Sequence, residues 1–167
     1  MQLFEYGLAE AENVLIQPVG DHDLPLIENE IAEIRRRTET PFRLTAVKVE
    51  SWNRDLSPWT APAVFGDEDF GDGAAALLRE ILPLCADEEK RYFIGGYSMA
   101  GLFALWSACR TDVFSGAAAA SPSLWFPGFS AYMKEKSLGC ETVYLSLGTR
   151  EEKTRNPVMR TVGDCAR

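Results

Sequence analysis

Five short apolar runs, at residues 13–19, 42–49, 91–95, 116–120 and 142–147, recur along the chain with helical patterns between them. Stretches such as Val14-Leu15-Ile16 and Tyr92-Phe93-Ile94 leave neither face of a strand polar. A strand of that kind must be covered from above and below, and strands joined through helices need crossover connections. The pattern therefore predicts a three-layer α/β sandwich, a mostly parallel sheet of about five strands with helices on both sides. In such sheets ligands bind beyond the carboxyl ends of the strands.

The intervening segments carry the helical period. Leu24, Ile27, Ile31 and Ile34 recur at steps of three, four and three, with Asp23 as a candidate N-cap. Residues 74–82 form a second helical run that Pro83 ends, and residues 99–110 a third. Residues 50–73 are too long for an ordinary strand-to-helix connection. The chain has 167 residues, 46% of them hydrophobic and 25% charged, without an internal repeat, and we expect residues 1–167 to form one domain.

Charge and composition exclude several functions. Lys and Arg number 17 against 25 Asp and Glu, a net charge of −8, which argues against nucleic acid as the main partner. Arg35-Arg36-Arg37 follows the first helical pattern and reads as a solvated helix end. The segment Met1-Gln2-Leu3-Phe4-Glu5-Tyr6 has no positive n-region, and nothing further on resembles a membrane span, so the expected location is cytoplasmic with no membrane partner. Cys85, Cys109, Cys140 and Cys165 are widely spaced, which offers neither a zinc site nor a dithiol motif. Two disulfides are formally open, but no secretory signal supports them.

The chemistry gathers at Gly95-Gly96-Tyr97-Ser98-Met99-Ala100-Gly101, between an expected strand and an expected helix. In this pattern a serine occupies a strained turn that lifts its hydroxyl above the sheet, and its neighbours are small because strand and helix approach closely. Ser98 is the candidate nucleophile. A phosphate loop is disfavoured because no Gly-Lys-Ser/Thr follows.

The runs from Gly95 through Trp106 and Ala120-Ser121-Pro122-Ser123-Leu124-Trp125-Phe126 resemble the enterochelin-esterase-like group of the α/β hydrolases. Leu145-Ser146-Leu147-Gly148-Thr149-Arg150-Glu151-Glu152 is similar to that family's strand and acid-bearing loop. The resemblance covers nearly the whole chain, with Ala100 where relatives more often carry glycine. It implies an α/β-hydrolase-like fold and a serine esterase acting on a small-molecule ester without a cofactor or metal. It also implies Glu151 as the catalytic acid, with Glu152 as its rival. Relatives continue for a further strand and helix that bear the catalytic histidine, so the chain reads as C-terminally incomplete, with an exposed sheet edge suited to a homodimer.

A serine hydroxyl needs a base, and the base needs a carboxylate to orient it. The one histidine, His22, lies far upstream in Gly20-Asp21-His22-Asp23, just after the first run. That position suits the loop that lends a donor to the oxyanion hole, beside the backbone N–H of Met99. His22 is also open to reading as a replacement base, a substrate contact or an ordinary loop residue. Trp52 and Trp59 in the long loop, together with Trp125, are candidates for a substrate pocket, or equally for a loop packed on its own aromatics. Two functions follow: hydrolysis of a carboxylic ester through a Ser98 acyl-enzyme, or an inactive hydrolase-fold remnant that binds a ligand or partner.

Overall fold

In the computed structural model, which describes residues 1–166, the apolar runs pair into one six-stranded sheet. The strands are β1 (Gln2–Gly7), β2 (Asn13–Val19), β3 (Phe42–Lys48), β4 (Arg91–Tyr97), β5 (Phe114–Ala120) and β6 (Thr142–Ser146). They lie in the order β1-β3-β2-β4-β5-β6. Every pairing is parallel except β1 against β3. The α/β class and the mostly parallel sheet match the expectation from sequence; the strand count is corrected from about five to six. The added strand, β1, is a largely exposed edge whose short Gln-Leu-Phe-Glu-Tyr-Gly run gives no clear period in the sequence.

Helices cover both faces. On one side α1 (Ile27–Arg37) lays Ile27 and Ile31 over Val19, Leu44 and Ala46. On the other, α3 (Ala74–Ile81) and α4 (Met99–Ala108) pack with the opposite face of β2, β3, β4 and β5 into the larger core. All ten residues of α4 are buried, which explains its nearly unbroken apolar sequence. Three shorter helices, α2 (Trp52–Asp55), α5 (Phe129–Lys134) and α6 (Val162–Ala166), occupy segments without an amphipathic signal of useful length. Asp23 is corrected as a cap: α1 begins at Ile27 after a 3-10 turn over Leu24–Leu26, and the Asp23 carboxylate instead accepts the Gly20 N–H at 2.8 Å. All four cysteines are free thiols. Among the described residues no helix is long and apolar enough to cross a membrane.

The sheet order sets where a site can form. The chain passes from β2 outward to β3, then returns to place β4 on the other side of β2. That reversal opens a crevice at the carboxyl ends of β2 and β4. Their pairing ends at Ile16↔Ile94, so the last residues of each strand diverge.

Candidate active site

Ser98 follows β4 directly, at the reversal point, with φ 57° and ψ −118°. This is backbone that an L residue rarely adopts, and strain of this kind persists only where the surroundings enforce it. The surroundings here are small residues. A Cβ on Gly96 would lie 2.5 Å from the Ala100 Cβ, and one on Gly101 would lie 3.0 Å from the Gly96 carbonyl oxygen. Gly96 thus provides the clearance that the Ala100 methyl group needs. Ser98 N–H donates to the Ala120 carbonyl at 3.1 Å, which ties the turn to the end of β5. Met99 opens α4, so its N–H has no acceptor within the helix.

The half-buried Ser98 hydroxyl meets the buried Ser123 Oγ at 3.2 Å, and Ser123 N–H donates to the Ser98 carbonyl at 3.1 Å. Glu151 stands beyond β6 at the start of a 3-10 turn. Its Oε1 accepts from Ser121 Oγ at 2.6 Å and from the Gly148 N–H. Ser121 N–H in turn donates to the Ser146 carbonyl at 2.8 Å. The ends of β4, β5 and β6 are therefore linked in sequence, with Ser98 at one side and the Glu151 carboxylate at the other.

His22 is not joined to Ser98. Its Nε2 lies 3.3 Å from Asp23 Oδ2, and its ring meets Trp52 edge-on at 4.9 Å between centroids. A Cβ on Gly20 would fall 2.7 Å from the His22 ring, so this glycine lets the imidazole fold back over the loop. The side chain remains 63% exposed and lines a groove of about 430 Å³ with Gly96, Tyr97 and Tyr144. Asp21 is engaged elsewhere, with Lys48 at 2.6 Å, so the Asp21-His22-Asp23 run does not converge on one point.

Trp52 is thus the partner of His22, while Trp59 and Trp125 hold the long loop to the segment after β5. Trp59 donates its indole N–H to the Pro127 carbonyl at 2.9 Å and packs on Phe126 and Tyr132. Trp125, 8% exposed, lies against Phe65 and Phe70. Residues 50–73 are consequently anchored by aromatic contacts rather than left as an open flap. Sequence reasoning named Ser98, Glu151, Met99 and His22 but assigned no role to Ser121 or Ser123. Their signal was position alone: polar side chains in the first loop residues beyond a strand's carboxyl end.

No family profile and no curated protein matches the chain. Solved structures do match it. The siderophore hydrolase EstA of Aspergillus nidulans is 20% identical with a TM-score of 0.62, over 96% of this chain and 69% of its own. The enterobactin esterase FES of Shigella flexneri is 20% identical with a TM-score of 0.60, over 98% of this chain and 45% of its own. An alpha-beta serine hydrolase homologue from Coxiella burnetii is 10% identical with a TM-score of 0.50, over 86% and 66%. At such identities the likeness establishes the fold: the chain has an α/β-hydrolase fold. It spans from under half to about two-thirds of the length of these neighbours.

Proposed function

We propose that the chain carries the nucleophile and acid of a serine esterase of the enterochelin-esterase-like type. The observation behind this reading is Ser98 in a strained turn between β4 and α4, at the reversal point of the sheet. In this reading Ser98 Oγ attacks the ester carbonyl and its proton passes to a base. The Met99 N–H and a donor from the loop around His22 hold the oxyanion. Collapse of the tetrahedral intermediate releases the alcohol, which takes that proton, and leaves the acyl group on Ser98. Water then hydrolyses the acyl-enzyme to the carboxylate, and Glu151 orients the base throughout. The base in this reading is an imidazole, and among the described residues none is placed at Ser98, because His22 is engaged with Asp23 and Trp52. Thioesters and amides suit the same elbow, and the named neighbours make a siderophore ester the first substrate to try.

A second reading, a catalytically silent domain that binds a ligand or partner, is favoured by that same engagement of His22. Intact-mass spectrometry after incubation with a fluorophosphonate, with and without added imidazole, separates the two. The esterase reading expects one adduct on the wild-type chain and none on Ser98→Ala. A folded chain that gives no adduct in either buffer rejects the esterase reading for this polypeptide.

A further inference from the structure

Among the described residues only two other than glycine have positive φ: Ser98 and Ser121. Ser121, at φ 45°, is the first residue after β5, and Pro122 follows it. A residue before proline is already steered toward extended backbone, so the left-handed setting is doubly unfavourable for a serine. Glycine would occupy it without strain. Only its side chain distinguishes serine from glycine there, and that side chain has a definite use: its hydroxyl donates to Glu151 Oε1 at 2.6 Å.

The Gly148 N–H donates to the same oxygen. Two donors thus converge on Oε1, while Oε2 makes no hydrogen bond among the described residues. A carboxylate pinned through one oxygen presents the other in a fixed direction. The same loop holds the nucleophile two residues on, where Ser123 contacts Ser98 through both its N–H and its hydroxyl. We infer that Ser121 is a positioning residue: with the Gly148 N–H it clamps Glu151 so that Oε2 is held toward the base at a set distance from Ser98. The catalytic consequence rests on the esterase reading above; the clamp itself does not. It also assigns the acid role to Glu151 over its neighbour Glu152.

The test uses the full chain with Ser121→Gly and Ser121→Ala. Ser121→Gly removes the hydroxyl while relieving the backbone, so its melting temperature is expected to equal or exceed that of the wild type. Two readouts follow. By NMR, the Gly148 amide is expected to shift and to exchange with deuterium faster in both variants. In imidazole buffer, fluorophosphonate labelling of Ser98 is expected to slow about tenfold or more, as for loss of a charge-assisted contact that orients the base. In a Glu151→Gln background, Ser121→Gly is expected to add no further loss, which a merely structural serine would not produce. An unchanged Gly148 amide in Ser121→Gly overturns the clamp, and unchanged labelling of a reactive chain overturns its catalytic role. If the wild type does not label at all, the esterase reading fails, and the amide readout alone decides the clamp.

Discussion

Ser98 illustrates how one residue is set by its neighbours. Its backbone strain is maintained by Gly96 and Gly101, which let β4 and α4 close on the turn, and by the Ser98 N–H bond to Ala120. Replacing Ser98 by glycine is therefore expected to raise stability by about 1 kcal/mol, measured by urea denaturation, while abolishing any labelling at the site. Stability that falls instead would mean that the Ser98–Ser123 contact outweighs the strain. Cys85 is a contrasting residue, shaped by burial alone, which pushes its thiol up to about 11. At pH 8.5 its thiolate is scarce, so iodoacetamide is expected to modify it roughly a hundredfold more slowly than an unperturbed thiol. Peptide mapping of the alkylated chain reads this directly.

At the scale of elements, the long loop after β3 depends on polar and aromatic anchors. Asp55, in α2, accepts the N–H groups of Glu50 at 3.0 Å and Ser51 at 2.9 Å, and Arg54 Nε at 2.8 Å. Burial alone would raise its carboxyl, but the Ser51 amide, Arg54 and the Glu50 amide outweigh it and hold the carboxyl below its ordinary value of 3.8. A folded value below the unfolded one stabilises the protein above pH 3.8, and the contribution is lost as pH falls through the folded value. Asp55→Asn is thus expected to be less stable than the wild type at pH 7, by on the order of 1–2 kcal/mol. The gap should close as denaturation is repeated toward pH 2. A gap independent of pH would assign the loss to packing rather than charge.

For the whole molecule, the two sheet edges differ. β1 carries Glu5 ion-paired to Arg43 of its neighbour, a charged guard. β6 pairs with β5 alone, has no charged residue, and exposes Val143, Tyr144 and Leu145 at 39%, 60% and 40%. An edge of that kind invites strand addition. Sedimentation velocity is expected to show concentration-dependent association at micromolar chain, reduced by Tyr144→Lys. A wild-type monomer at 100 times that concentration, on the order of 0.1 mM, would contradict the expectation.

The sequence by itself determined the alternation of strand and helix, the parallel sheet and the turn that bears Ser98. Those features are written in local periods and in the small residues that a close strand-to-helix approach demands. The position of Glu151 just beyond β6 was legible for the same reason, as a residue after a readable strand. The tertiary structure decided the rest. β1 joins the sheet only through its antiparallel pairing with β3, some forty residues along the chain. His22 turns to Trp52, and Ser121 reaches Glu151, each thirty residues away. Contacts across such separations leave no period in the sequence: they exist because the assembled sheet brings distant strands, and the loops at their ends, side by side.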